Sequence, residues 1–175
     1  YKKSDLPKSY WDWEPMLENN KKGYFPYTPA TNLLYGLDEA INMLTEEGLE
    51  NVFTRHKRFA EATRIAVNSW GLEILCKNPE EYSSSLTAVL VPEGHDADSL
   101  RKIILDDYNM SLGTGLAKVA GKVFRIGHLG DLNELMLCSA ISGAEMSMMS
   151  NGIKVELGSG VAAASKYWLD NPAGK

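Results

Sequence analysis

The amino-acid sequence predicts an α+β fold in which helices pack on a small sheet. Apolar residues recur at three- and four-residue steps over residues 33–44 and 49–70, which is the period of amphipathic helices. Three short apolar runs, at 72–76, 86–91 and 122–126, have the length and composition of strands. Two helices therefore precede two strands, and a helix, a strand and a last helix follow, which is an order typical of α+β domains.

The composition is that of a globular protein, and it excludes several classes of function. The chain has 175 residues, of which 44% are hydrophobic and 23% charged, enough for one domain with or without a tail. Its formal charge of -5 argues against nucleic acid or an anionic membrane surface as the partner. Cys76 and Cys138 stand far apart, which disfavours a disulfide framework or a zinc site and favours a reducing compartment.

The first 29 residues are predicted to be irregular and to lie against an apolar surface. Four prolines restrict the backbone here, and six aromatic rings stand among them. A solvated linker would not carry so many rings. The rings belong to Tyr10, Trp11, Trp13, Tyr24, Phe25 and Tyr27.

The first two helices carry recognisable start and stop signals. Thr28 followed by Pro29 is typical of a helix start, with a hydroxyl cap before a proline in the first turn. Gly48 is expected to end this helix. The second helix follows directly, and Gly71 is expected to stop it.

The later elements are less regular. Asp96 is expected to cap a third helix, and the glycine-rich stretch 111–121 to form a flexible approach to the strand at 122–126. Asp131 and Glu134 have the spacing of a capping box for a last helix, which runs to about residue 149. We therefore divide the chain into an arm (1–37), a small domain (38–150) and a tail (151–175).

Arg125 is the most informative single residue. Alternation in its strand places Val123 and Arg125 on one face and Phe124 and Ile126 on the other, so neither face is plainly solvated. One interpretation is a guanidinium fork that binds the carboxylate of a substrate. The other is an edge arginine paired with Asp131 or Glu134. Structural ion pairs are the commoner arrangement in proteins, so the pattern alone favours the second.

The histidines and glycines offer weaker candidates. His128 and Asp131 flank a glycine-bearing turn that could present backbone N–H groups to an anion, or could simply turn tightly with Asp131 as a cap. His56 lies on an apolar helix stripe and is expected to be a core residue, and His95 is expected to be solvated. The glycine run 111–121 lacks the Lys-Ser/Thr ending of a phosphate loop.

Several long motifs carry a family resemblance. They are FPYTPATNLLYGL (25–37), EGLENV (47–52), Arg55-His56, GKVFRIGHLG (121–130) and GSGVAAAS (158–165). In order and spacing, over residues 10–168, they resemble the C-terminal part of the class V aminotransferases. The serine–glyoxylate and alanine–glyoxylate aminotransferases are the most similar branches.

The resemblance implies a fold type I enzyme that depends on pyridoxal 5'-phosphate and works as a homodimer. Its ping-pong mechanism would pass an amino group from serine, alanine or aspartate to glyoxylate, giving glycine. The family's carboxylate-binding arginine corresponds to Arg125, which reverses the preference stated above. The threonine that reaches the cofactor phosphate of the neighbouring subunit corresponds to Thr28. Phe25 replaces a tyrosine of the animal branch, so Tyr27 or Tyr24 is expected to take over that contact.

The resemblance also implies that this chain holds only part of the active site. The lysine that binds the cofactor covalently stands in a Ser-Gly-Ser-Gln-Lys context that the sequence lacks. With no initiator Met, we expect the chain to be a portion of a longer enzyme, with no catalytic residue of its own. The ending Ala173-Gly174-Lys175 is not a peroxisomal address, which favours the cytoplasm. The alternative is a non-catalytic α+β binding or regulatory module, complete as it stands.

Overall fold

A computed structural model describes residues 3–173 and divides the chain into two compact units. The first unit ends at Glu47 and the second begins at Gly48. The sequence-based boundary between 37 and 38 lies within a continuous helix, Thr31–Glu47. The three-part division of the chain stays a prediction.

The first unit contains two helices, α1 (Trp13–Asn20) and α2 (Thr31–Glu47), after a short 3-10 turn at Ser9–Trp11. Neither helix buries a residue. The predicted start at Thr28–Pro29 is wrong, because the chain makes a further turn in which the Thr31 N–H donates to the Pro29 carbonyl at 2.9 Å. Helical bonds begin only when the N–H of Leu34 reaches the Ala30 carbonyl.

Over its described residues, 48–173, the second unit contains four helices and three strands. Its helices are α3 (Leu49–Ser69), α4 (Ala97–Tyr108), α5 (Glu134–Ser150) and α6 (Ser159–Asp170). Its strands are β1 (Leu86–Leu90), β2 (Gly113–Thr114) and β3 (Val123–Gly127). Short 3-10 turns lie at Pro79–Glu81 and Ala117–Val119. The α+β prediction is confirmed, and the predicted tail contributes the helix α6.

The three strands form one antiparallel sheet in the order β1-β3-β2. The predicted strand at 72–76 is wrong, since only a single bridge joins Ile74 to Val89 of β1. One buried face of the sheet packs on the helices through Val89, Phe124 and Ile126, which are at most 1% exposed. Gly71, with a φ of +71°, ends α3 as predicted and turns the chain toward the sheet.

Two predicted helix caps have different outcomes. Asp96 caps α4 as predicted, accepting from the N–H groups of Asp98 and Ser99. The capping box at α5 is wrong, because Asn133 accepts from the Met136 N–H at 3.0 Å. Glu134 instead forms an ion pair with Arg58 of α3, and this hydrogen bond holds the pKa of its carboxyl below the usual range. The pair ties the beginning of α5 to α3.

A buried carboxylate fixes α6 in place. Glu145 on α5 is 1% exposed and accepts from the Gly158 N–H at 2.6 Å and the Gly160 N–H at 2.7 Å. The indole N–H of Trp70 donates to the same carboxylate at 2.8 Å. Glu145 therefore satisfies the otherwise unpaired N–H groups at the beginning of α6, where the helix dipole also favours a negative charge.

We expect Glu145→Gln to destabilise the protein by roughly 2–4 kcal/mol, because the new amide group would point N–H donors at other donors. Glu156→Gln is the control, since Glu156 is exposed nearby and loses the same charge. Thermal unfolding of the whole protein measures the difference. Equal unfolding temperatures for the two variants would contradict the proposed role of Glu145.

Candidate functional site

The two faces of the sheet differ in burial, and Arg125 lies on the more open one. Side chains paired across an antiparallel sheet share a face, so Arg125 lies with Ala88 of β1 and Gly113 of β2. Arg125 and Ala88 are half-buried, and Leu86 on the same face is 36% exposed. The opposite face is closed by the core. A ligand of this sheet therefore has access only from the Arg125 face.

Arg125 has two small neighbours and an unsatisfied hydrogen-bond donor. It occupies the middle strand of the sheet, with alanine on one side and glycine on the other. Its Nε is buried and has no hydrogen-bond partner. A buried donor that lacks an acceptor is costly, so this arrangement favours an anion as the acceptor.

The structural alternative for Arg125 does not fit this geometry. Arg125 is in the central strand, whereas the alternative required an edge arginine. Glu134, one of its two candidate partners, pairs with Arg58. Within residues 3–173, no carboxylate forms an ion pair with Arg125. The guanidinium is therefore the kind of group that binds a carboxylate from outside the chain.

His128 lies on the closed face and is not an anion ligand. Its ring is 0% exposed, with Nδ1 3.0 Å from the Ser84 carbonyl and Nε2 3.0 Å from the Thr87 hydroxyl. Because a carbonyl only accepts, Nδ1 donates and Nε2 accepts from Thr87. Burial, together with the nearby Arg64 cation, lowers the pKa of His128 to about 4. The ring is therefore neutral, and its two hydrogen bonds connect the end of β3 to Thr87 in β1 and to Ser84 just before β1.

The loop after β3 is held by α3. His56 is 8% exposed, and its Nε2 accepts from the Gly130 N–H at 3.0 Å. Its Nδ1 donates to the Val52 carbonyl at 2.7 Å, and Arg55 donates to the Gly130 carbonyl at 2.7 Å. The prediction of His56 as a satisfied core residue is confirmed. His95 is half-buried near the Asn151 carbonyl, less solvated than predicted.

Thr28 and Tyr27, the other predicted site residues, lie in the first unit. Thr28 is exposed and lines a cavity of about 380 Å³, together with Phe25, Tyr27 and other largely apolar residues. The Tyr27 hydroxyl shares a hydrogen bond with Ser9, and its ring lies 5.7 Å from that of Tyr10. Thr28 therefore places an exposed hydroxyl at the rim of an aromatic cavity.

Sequence reasoning missed the residues that shape the surroundings of Arg125. Ala88 and Gly113 become its neighbours only through strand pairing, which joins positions 37 and 12 residues away. The glycine-rich stretch was expected to be flexible, but its glycines allow close packing. A Cβ on Gly115 would lie 2.1 Å from the Val119 carbonyl oxygen. Because no strand was predicted over this stretch, its glycines gave no signal of such a close approach.

Known proteins resemble the chain over nearly its whole length. The serine–glyoxylate aminotransferase of Methylorubrum extorquens is 58% identical over 97% of this chain. The L-aspartate–glyoxylate aminotransferase of Paracoccus denitrificans is 46% identical over 96%. The crystal structure of the ureidoglycine–glyoxylate aminotransferase of Bacillus subtilis superimposes on 95% of the chain with a TM-score of 0.86 and 25% identity. No protein-family model matches the chain.

The matches cover only part of the known proteins. The chain spans 42% of the length of the two curated relatives and 43% of the Bacillus subtilis chain. Within the described part of this chain, no helix combines the length and apolar character that a membrane span needs.

The burial of His128 predicts a loss of stability in mild acid. Its pKa is about 4 in the folded protein and near 6.5 in the unfolded chain, so the unfolded state binds more protons between these values. The free energy of unfolding should therefore fall by roughly 2 kcal/mol between pH 7 and pH 5 from this ring alone.

His128→Gln should remove that contribution and make the pH dependence of the unfolding temperature shallower. Thr87→Val is the matched control, because it removes the hydrogen bond and keeps the titrating ring. It should lower stability at both pH values and keep the steep pH dependence. An unchanged pH dependence in His128→Gln would show that the ring is not the responsible group.

Proposed function

We propose that the chain belongs to the class V aminotransferases and that it forms the substrate-carboxylate side of an enzyme that transfers an amino group from serine to glyoxylate. The family resemblance predicted from the sequence is confirmed by relatives of 58% and 46% identity along nearly the whole chain. The observation that carries the proposal is the buried, unpartnered Nε of Arg125 on the open face of the sheet.

Arg125 would bind the carboxylate in both halves of the reaction. Serine and glyoxylate differ at the reacting carbon but share a carboxylate, so one guanidinium fork orients either molecule by the same two oxygens. Each such charged hydrogen bond contributes roughly 1.5–3 kcal/mol. The half-buried surroundings of Arg125 limit competition from water. Arg125 therefore binds and orients, and it does not exchange protons.

Thr28 fits a contact with the cofactor that the family implies, pyridoxal 5'-phosphate. Its hydroxyl is exposed at the rim of the aromatic cavity and can donate to a phosphate oxygen. When bound, this cofactor acts as the electron sink and carries the amino group between the two substrates. We assign Thr28 one contact at the edge of the phosphate, with Tyr27 beside it. The covalent lysine and the remaining phosphate donors would come from the rest of the enzyme.

The first unit also supports the proposed homodimer. Its helix α2 exposes a row of apolar side chains, among them Leu33, Leu37 and Ile41, each at least half exposed. Apolar surface of this extent is typical of a surface that another part of an assembly covers. We propose that the large domain and the second subunit cover it. We place the enzyme in the cytoplasm, in line with the two cysteines of this chain, which are not joined by a disulfide.

A complete, non-catalytic module is the rival proposal. The lack of buried residues in α1 and α2 argues against it, since a complete domain would bury its own apolar side chains. The preference for serine over alanine or aspartate rests on the 58% identical relative, which is a serine–glyoxylate aminotransferase.

The visible absorbance of the full-length enzyme tests this function. L-serine should change the spectrum of the bound cofactor, glyoxylate should restore it, and a titration gives the apparent dissociation constant of each. Arg125→Ala should raise both constants roughly 100-fold or more, because two charged hydrogen bonds are lost. The dissociation constants of Arg125→Lys should lie between those of the wild type and Arg125→Ala, because lysine keeps the positive charge but cannot form two parallel hydrogen bonds to a carboxylate.

Lys166→Ala is the control for the loss of a positive charge, because the Lys166 side chain is 81% exposed on α6. It should leave both dissociation constants within about twofold of the wild type.

A cofactor spectrum that does not change when serine is added would overturn the aminotransferase proposal. Unchanged constants in Arg125→Ala would overturn the role of Arg125 alone. Alanine and aspartate in the same titration rank the donors.

Thr28→Val should weaken cofactor binding by about 10- to 150-fold, the effect of one hydrogen bond to a charged phosphate. Thr28→Ser keeps the hydroxyl and should stay close to the wild type. The dissociation constant of pyridoxal phosphate, measured by reconstitution of the apoenzyme, separates the two. Equal affinities of the valine and serine variants would show that the hydroxyl makes no phosphate contact.

A further inference from the structure

We propose that the short strand β2, through Gly113, positions the Arg125 guanidinium for carboxylate binding. The inference rests on the proposed function of Arg125 and adds a positioning residue on a neighbouring strand. Gly113 itself has no side chain to touch a substrate, so it would act only through Arg125.

The first observation is that β2 approaches β3 unusually closely at this position. Gly113 lies directly opposite Arg125 in the register. A Cβ placed on Gly113 would be 3.0 Å from the Arg125 Cβ, whereas paired residues in antiparallel sheets usually have their Cβ atoms about 4.5–5.5 Å apart. Glycine is what permits this approach.

The second observation is that the same Cβ would crowd the unsatisfied donor. It would lie 3.0 Å from the Arg125 Nε and 3.5 Å from Cζ. Nε is the buried atom that has no hydrogen-bond partner. An alanine methyl group would therefore displace the guanidinium and cover the side from which an acceptor would reach Nε.

The third observation is that β2 cannot easily retreat. Arg101 on α4 donates to the Leu112 carbonyl at 2.8 Å, and Asp98 accepts from the Thr114 hydroxyl at 3.0 Å. Arg101 and Asp98 also form an ion pair at 2.8 Å. This pair, which we call the α4 clamp, holds the residues on both sides of Gly113.

The backbone of Arg125 is fixed as well, because β3 is paired on both sides. With both backbones held, the Arg125 side chain is the part that must move when a methyl group appears at position 113. The φ of Gly113 is not in the left-handed region, so alanine is tolerated by the backbone and the effect falls on the side chain.

The experiment compares Gly113→Ala with Gly127→Ala in the full-length enzyme. Gly127 lies in β3, two residues from Arg125 on the same face, and a Cβ there would meet nothing within 4 Å. Gly113→Ala should raise the KM for both L-serine and glyoxylate about tenfold, with kcat at saturation changed by less than about twofold. Gly127→Ala should match the wild type.

A double-mutant cycle separates positioning from general damage. If Gly113 acts through the guanidinium, Gly113→Ala should have little further effect in the Arg125→Lys background. A full tenfold effect in that background would overturn the proposal. So would a KM in Gly113→Ala equal to that in Gly127→Ala. If Arg125→Ala itself left both KM values unchanged, the proposed role of Arg125 in carboxylate binding would fail instead.

A chemical probe gives a readout that does not need activity. Phenylglyoxal modifies exposed guanidinium groups, and peptide mapping reports the rate at Arg125. Hydroxypyruvate, a carboxylate with the carbon skeleton of serine, should protect Arg125 in the wild type and in Gly127→Ala. Protection in Gly113→Ala should need about tenfold more hydroxypyruvate. Equal protection in all three proteins would overturn the positioning role.

Discussion

The unsatisfied Nε–H of Arg125 is the constraint on which the geometry around the candidate site depends. A guanidinium in the middle of a sheet needs space on both sides, and the sheet provides it with Ala88 and Gly113. It also needs an acceptor, and the described chain provides none for Nε. Because leaving a buried donor unpaired costs free energy, the site is poised for an anion. The burial of Nε, which costs the folded protein some stability, is thus what would favour the proposed carboxylate binding.

The two faces of the sheet divide structural and functional roles. On the closed face, the His128 ring bonds to the Thr87 hydroxyl and to the Ser84 carbonyl, so both ring nitrogens are satisfied without a ligand. On the open face, Arg125 is left unpaired. A strand has a period of two, so residues three positions apart, such as 125 and 128, point to opposite faces. The same short strand can therefore be fixed to the core by one side chain and present another to a substrate.

The sequence predicts the fold where local signals and tertiary contacts agree. The strand of Arg125, the Asp96 cap and the Gly71 stop needed only neighbouring residues. The segment at 72–76 has strand composition but finds only one bridge, because pairing depends on the partner strand. Glu134 was available for a cap but was drawn away by Arg58, 76 residues distant. Gly113 could not be recognised as a site residue from the sequence, because its importance comes from its pairing with Arg125 and not from a side chain of its own.

The two units differ in how well their side chains are buried. This difference separates the proposed binding of the substrate from the proposed contact with the cofactor. The second unit has its own core, including a buried carboxylate and two histidines held by hydrogen bonds, so the position of Arg125 is fixed within it. The helices of the first unit bury no side chain, and the cavity at Thr28 is lined by residues of this unit alone. The proposed substrate-carboxylate recognition therefore lies within one packed unit, whereas the proposed cofactor contact lies in the unit whose helices bury no side chain. We infer that a change in the surroundings of the first unit would affect the proposed cofactor contact before it disturbed the geometry around Arg125.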